Sequence, residues 1–417
     1  MTSLVLKPAS VGTFFGRVSR QHIAAILVLF SAIALAFPMA DTEAILPALW
    51  FLGMAAGFTL QRSRFCFASA FRDLFLFGSG RTLKGILLGL SVATVGFAIV
   101  MYNEVPFPEF GARPAEAHVL PVGLSTVVGG LLFGFGMVIS GGCVSGSLYR
   151  AAEGYVASAV TLLGIMIGLG VLSRQWNWWW DTVIRHEPMV WLPARFNLGY
   201  AGAVVLTLAG ILGVYLFVTW WEARNGVIAP TSTRPAQPAE TFGERIGEQW
   251  RRVFVAGWSP AVGGAVLGVL GILMYMVHMP WGVTGELSRW STSVMDAAGA
   301  GPGELRGLSD LGGCALLASE SGFFTHTFAL TVGLMAGALI AALFAREFKL
   351  RLPRQRRRYA QSLGGGVVMG YGAGLGIGCT IGAFFSAIPS FSVSGWLFAV
   401  SLAGGAYFGV AVIRRIP

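Results

Sequence analysis

Apolar runs long enough to cross a bilayer recur from one end of the chain to the other. A membrane-spanning helix needs about 20 mostly apolar residues. Ten stretches qualify: roughly 22–40, 44–60, 82–102, 121–140, 153–173, 198–221, 258–278, 323–345, 362–380 and 393–413. The pattern predicts an all-α polytopic membrane protein. Residues 222–257 form the long polar interruption, with EARNGVIAPTSTRPAQPAETFGERIGEQWRR running from Glu222 to Arg252. Proline, threonine and mixed charge there suggest a mobile or partly helical linker. It separates a first membrane half, 1–221, from a second, 258–417, with about five spans in each. An odd number of crossings per half turns the second half over relative to the first. The first run has a basic start, but Pro38-Met39-Ala40 is a poor cleavage site, so a retained helix is expected.

Composition agrees with the pattern. Hydrophobic residues make up 55% of 417, charged residues 12%, and the mean hydropathy is +0.70. A soluble domain carries about 25% charged residues. The net charge of +10 is not a nucleic-acid signal, because the basic residues sit in the breaks between spans. Lys7, Arg17 and Arg20 precede the first span, and Arg414 and Arg415 close the chain. Arg346, Lys349, Arg351, Arg354, Arg356, Arg357 and Arg358 form the strongest cluster. The positive-inside rule puts all three regions, and so both termini, in the cytoplasm. The loop 103–120 sets Glu104, Glu109 and Glu116 against Arg113 and suits the outside. Trp176, Trp178, Trp179, Trp180 and Trp191 read as an interfacial aromatic belt.

Within this apolar frame one segment occurs twice. Residues 129–146 read GGLLFGFGMVISGGCVSG and residues 365–382 read GGVVMGYGAGLGIGCTIG. At a constant offset of 236, Gly129, Gly130, Gly134, Gly136, Gly142, Cys143 and Gly146 fall on Gly365, Gly366, Gly370, Gly372, Gly378, Cys379 and Gly382. Phe135 and Tyr371 are both aromatic. A weaker match relates residues 50–73 to 268–290; pairing Gly53 with Gly271 sets Cys66 against Thr284. Two inverted pseudo-repeats follow, with broken or re-entrant Gly–Cys segments meeting near the membrane centre. That is the mark of a transporter or channel whose site lies between two halves.

The residues able to carry chemistry cluster in these motifs. Gln61, Arg62 and Arg64 immediately precede Cys66; either arginine could draw an anion to a cavity mouth, or both could merely set topology. Arg72 and Asp73 suit a mutual pair, as do Arg150 with Glu153 and Glu286 with Arg289. Around Cys143, serine and glycine are too polar for a lipid-facing helix. Non-helical backbone at membrane depth is tolerated where it lines a cavity or is buried in protein, so Gly142 and Gly378 would leave N–H groups free for a ligand. Thr380 and Ser386 accompany Cys379, while Cys314 has no counterpart and ranks below the other three cysteines. A lone membrane cysteine is ordinarily a small buried hydrophobe; one repeated in both halves asks for more. No C-x-x-C, no histidine at ligand spacing and no cofactor motif occurs, so no metal site and no cofactor are expected.

Together, QRSRFCFASAFRD, GGCVSGSLYR, WGVTGELSRW and GIGCTIGA resemble the YeeE/YedE family of bacterial inner-membrane proteins, over about residues 45–410. The resemblance implies import of a sulfur-containing anion, most often thiosulfate, with some members labelled sulfur or selenium transporters. It places three cysteines, here Cys66, Cys143 and Cys379, near the centre of an hourglass-shaped path and relays the anion by S–H···S contacts. It also implies a cytosolic sulfur-carrier protein as a partner. This chain is longer than the compact thiosulfate-transporting members, chiefly in 222–257 and 291–320. The physics is compatible: thiosulfate is a soft dianion whose water must be replaced by fixed dipoles, and neutral thiols are weak, soft donors. The expectation is therefore a transporter and not an enzyme. A carrier of selenium or other sulfur species is the first alternative. A membrane thiol enzyme is the second, with no resolving cysteine, base histidine or cofactor motif behind it.

Overall fold

The computed structural model describes residues 19–108, 113–114, 116–195, 198–226, 248, 250–308, 311, 313 and 322–415. Among these there is no strand, and helices carry nearly everything: α1 Arg20–Thr42, α2 Leu46–Ser63, α3 Phe67–Phe77, α4 Arg81–Glu104, α5 Leu124–Ser140, α6 Val144–Ala152, α7 Val156–Thr182, α8 Gly199–Asn225, α9 Pro260–Val277, α10 Thr284–Ala297, α11 His326–Phe344, α12 Arg356–Leu375 and α13 Val393–Arg415. A π-helical segment, Thr380–Ser386, follows α12. Most of the 222–257 linker, and Cys314, lie outside the described residues.

Eight helices are long and apolar enough to cross a membrane, with a ninth if α12 and the π-helical segment, bent by 45°, count as one span. The sequence pattern predicts ten. The difference is α2, whose last turn, Gln61-Arg62-Ser63, spends its length on polar residues. It nevertheless runs alongside α11: Gly53 and Gly57 press on the Leu330 and Leu334 backbone, and Gly333 and Gly337 on Trp50 and Met54. Backbones this close exclude any side chain from the contact, and in lipid, where apolar burial drives nothing, such packing is what holds helices together.

The same parallel arrangement recurs. Gly89 meets Gly264 and Gly96 meets Ile272, which pairs α4 with α9. Gly134 meets Leu402 and Gly409 meets Val138, pairing α5 with α13; Gly164 meets Leu363 and Gly168 meets Val367, pairing α7 with α12. Every one of these contacts joins a helix before the linker to a helix after it.

Polar contacts sort the helix ends onto two faces. On one, Gln21 donates to Phe348 O, Lys84 pairs with Glu222, Arg62 reaches Phe254 O and Val255 O, and Arg414 donates to Phe75 O. This face carries the basic cluster 346–358. On the other, Glu43 pairs with His326, Glu187 accepts from Ser125, and the Tyr200 hydroxyl donates to Met101 O and Val105 O.

Two sequence readings change. Of the five tryptophans expected in an interfacial belt, Trp178 is exposed, whereas Trp176 and Trp191 are buried and donate to Arg306 O and Ser390 O, and Trp179 donates to the Tyr371 hydroxyl. Trp176 and Trp191 staple loops to the helical core, and Trp179 ties α7 to α12. Arg150 does not pair with Glu153; it turns to Tyr149 and to Gly141 O. Arg72–Asp73 and Arg289–Glu286 do pair.

Candidate functional site

Four residues singled out by sequence share one kind of position, the start of a short helix after a break. Cys66 caps α3, Cys143 caps α6, Cys379 precedes Thr380–Ser386, and Thr284 opens α10. All four are buried. Free N–H groups and the helix dipole make such starts locally positive.

The breaks at Cys143 and Cys379 are built alike. Cys143 has φ −78° and ψ −179°, and Cys379 has φ −90° and ψ −173°. Two residues earlier, Gly141 and Ile377 both adopt left-handed backbone, with φ of 86° and 54°. For a β-branched isoleucine that conformation is strained, and such strain survives where surrounding packing fixes it. At the next position, a β-carbon on Gly142 would meet the Ser147 hydroxyl at 3.2 Å, and one on Gly378 would meet Ala383 N at 2.7 Å. Ser147 and Ala383 are again 236 apart.

Cys66 and Cys143 come together across 77 residues of sequence, with sulfurs 3.9 Å apart. Cys143 Sγ also accepts from Gly146 N at 3.4 Å and lies 3.5 Å from the Ser145 hydroxyl. A β-carbon at Gly146 would sit 2.7 Å from the Cys66 sulfur and 3.2 Å from the Cys143 sulfur, so only glycine leaves room for both thiols over the start of α6. The two halves interlock beside them, the Phe67 ring packing on Phe384 and Phe385; within the second half the Ser386 hydroxyl donates to Trp281 O, just ahead of Thr284.

Gln61, Arg62 and Arg64 lie on the basic-face side of the pair. Arg62 is buried and its donors are taken: Nη2 on Glu347 at 2.6 Å, Nε on Gln61 at 2.6 Å, Nη1 on Phe254 O and Val255 O. Gln61 also donates to Glu347 at 2.8 Å. Arg62 thus ties the end of α2 to the end of α11 and to the chain entering α9. Arg64 differs: its side chain is 74% exposed and gives one nitrogen to Glu347 at 3.0 Å. Burial would raise the Glu347 pKa, yet the Arg62 and Arg64 charges and the Gln61 amide hold it below the usual carboxylate range. Burial and the neighbouring Glu347 charge push Glu153 above it.

A cavity of about 320 Å³ opens here, lined by Arg64, Tyr149, Arg150, Glu153, Tyr155, Glu347 and Arg351. Sequence reading missed Glu347, Tyr149 and Arg351 as site neighbours. Tyr149 and Arg150 follow Cys143 by six and seven residues, a signal present but masked by the i, i+3 pairing with Glu153. Glu347 is 285 residues from Arg62 and gives no local signal. On the opposite face, His118 is buried with Nδ1 3.3 Å from Gly382 O, and burial lowers its pKa to about 4. His278 and His326, scattered in sequence, meet with ring centres 4.2 Å apart and planes tilted by 35°. Among the described residues no His, Cys, Asp and Glu cluster could hold a metal.

A family model described as sulphur transport matches residues 62–408, from Arg62 in the last turn of α2 to within α13. The chain belongs to the sulphur transport family. It is similar to the thiosulfate transporter TsuA of Escherichia coli (strain K12), at 27% identity over 83% of this chain and 88% of the relative. TsuA of Spirochaeta thermophila is 28% identical over 83% of this chain and 92% of its own length. The probable transporter YedE of Escherichia coli (strain K12) is 29% identical over 49% of this chain and 48% of its own. With its apolar helices, this member of the sulphur transport family is a multi-pass membrane transporter.

Proposed function

We propose that this protein imports a small sulfur-containing anion, most simply thiosulfate, through a path between two inverted halves. The anion would pass from Cys379 and Thr284 to the Cys66–Cys143 pair. The observation that carries the reading is the 3.9 Å thiol pair capping two short helices whose N-termini converge. The paired helix contacts support the inverted repeat. If α2, α4, α5 and α7 correspond to α9, α11, α12 and α13, then α2 on α11 becomes α9 on α4, and α5 on α13 becomes α12 on α7.

A dianion stripped of water needs replacement dipoles. The breaks at Gly142 and Gly378 supply backbone N–H groups, and the thiols supply soft, weak donors that hold without trapping. Arg62 and Gln61 shape the exit as a structural lock, and of the two arginines before Cys66, Arg64 is the one with donors to offer. The cluster 346–358 orients the basic face to the cytoplasm, where a cytosolic sulfur carrier would meet the released anion.

Uptake of labelled thiosulfate into cells lacking other sulfur-anion importers tests this. Wild type should accumulate label, and Cys143→Ala should lose uptake while retaining expression and thermal midpoint. Normal uptake by the Cys66→Ala/Cys143→Ala/Cys379→Ala triple variant would sink the cysteine path. Competition by selenium and other sulfur anions in the same assay ranks the substrates.

A further inference from the structure

The cavity on the basic face is not explained by the cysteine path alone. Its mouth is set by Arg64, the most exposed side chain of the group. Its floor is Arg150, whose Nη1 donates to Gly141 O at 2.8 Å. The guanidinium therefore touches the turn that carries the Cys143 thiol. Arg150 Nε donates to the buried Tyr149 hydroxyl, while Nη2 has no partner among the described residues. Arg351 gives Nη2 to Glu347 O and lies over the Tyr155 ring, 4.4 Å from its centre.

The charges do not balance. Four guanidiniums meet two carboxylates: Arg62, Arg64, Arg150 and Arg351 against Glu153 and Glu347, leaving a formal +2. Glu347 is spent on Arg62, Arg64 and Gln61. What remains is three cations, each with uncommitted N–H donors, around one carboxylate, Glu153, that forms no ion pair among the described residues.

We propose that this cavity is a second anion site, which accepts a small tetrahedral dianion such as thiosulfate from the Cys66–Cys143 pair, with Arg150 as its floor ligand. The inference rests on the transport reading for its place in the path, but its chemistry stands alone. A guanidinium fork matches two oxygens of such an anion. The volume admits a small ion and not a folded partner. Glu153 keeps the site weak, as an exit must be: consecutive sites conduct when none binds tightly. Burial and the Glu347 charge hold the Glu153 carboxyl above its ordinary range, consistent with a group crowded by negative charge.

The test uses the full-length protein in detergent, titrated with sodium thiosulfate by calorimetry at constant ionic strength. Cys143→Ala should still bind, because the cavity does not need the thiol. Adding Arg150→Gln to that variant should weaken binding by about 10-fold or more, the loss of one charge-assisted contact, and Arg150→Lys should recover part of it. Arg64→Gln, at an exposed side chain, should act in the same direction and serves if Arg150→Gln fails to fold. In vesicle uptake, Arg150→Gln should lower kcat more than it raises KM for external anion, since the site follows the cysteines. Binding unchanged by both arginine variants, or absent from Cys143→Ala, would overturn the proposal. Binding that depends on Arg150 in a protein that transports no thiosulfate would keep the site and remove the transport reading.

Discussion

Gly146 is a single hydrogen atom on which the thiol pair depends. Alanine is the better helix former by up to about 1 kcal/mol, so Gly146→Ala should leave α6 intact. Its methyl would fall 2.7 Å from the Cys66 sulfur, and the pair must part. Uptake should fall to background with an unchanged thermal midpoint in detergent; wild-type uptake would show that the contact is dispensable. Glu347 and Glu153 make opposite predictions for stability. The folded Glu347 pKa lies below its unfolded value. Its contribution is therefore complete above the ordinary carboxylate range and is lost as pH falls through the folded value. Glu347→Gln should cost on the order of 3 kcal/mol at neutral pH, because it strips the buried Arg62 of its counter-charge. The folded Glu153 pKa lies above its unfolded value, so its carboxylate is a burden above the folded pKa, relieved as pH falls through it. Glu153→Gln should raise the thermal midpoint at pH 7 and not at pH 4; a loss at pH 7 would reverse the sign. The cysteines, glycines and Arg64 were legible in the sequence because each sits inside a repeated or local motif. Glu347 was not, because only the α2–α11 contact brings it to Arg62.

At the scale of elements, hydrophobic run length found the helices, and with α12 and its bent continuation counted as one span, α2 alone of the ten runs is not both long and apolar enough to cross. The first four turns of α2 are apolar, and its polar last turn, with Gln61 and Arg62, is spent on Glu347 beside the basic-face cavity. Breaks were easier to see than their consequence. Gly142 and Gly378 announce interruptions, but the matching left-handed residues, Gly141 and Ile377, could not be paired from sequence because isoleucine is not a residue that signals positive φ. The tryptophans misled for a related reason: indole at a membrane boundary has two uses, and hydrogen bonds from Trp176 and Trp191 to distant loops, and from Trp179 to α12, depend on tertiary contacts that spacing does not encode. Small residues at i, i+4 along α2 did carry the packing. Gly57→Leu should force α2 off the Leu334 backbone, destabilise the protein by about 2–3 kcal/mol through overpacking, and misplace Cys66 nine residues later. A thermal midpoint at the wild-type value would show that α2 and α11 can separate freely.

For the whole molecule, direction of transport rests on which face meets the cytoplasm. The starts of α1, α4, α7, α9 and α12 and the ends of α2, α8, α11 and α13 lie on one face, joined by Gln21–Phe348, Lys84–Glu222, Arg62–Val255, Tyr155–Arg351 and Arg414–Phe75 contacts. That face holds Arg346, Lys349, Arg351, Arg354, Arg356, Arg357, Arg358, Arg414 and Arg415. The other face mixes its charges, with Arg289 against Glu286, Arg306 against Asp181 and His326 against Glu43. Positive charge flanking a span resists translocation whereas balanced charge does not, so the basic face should be cytoplasmic and the anion should leave beside Arg150. A fluorescent protein that matures only in the cytoplasm, fused after α13, should glow, and alkaline phosphatase fused at the same point should be inactive. Inserted in the loop between α7 and α8, the two reporters should exchange behaviour. The opposite pattern would turn the molecule over, make the arginine-lined cavity the entry instead of the exit, and predict that Arg150→Gln raises KM for external anion while leaving kcat in place.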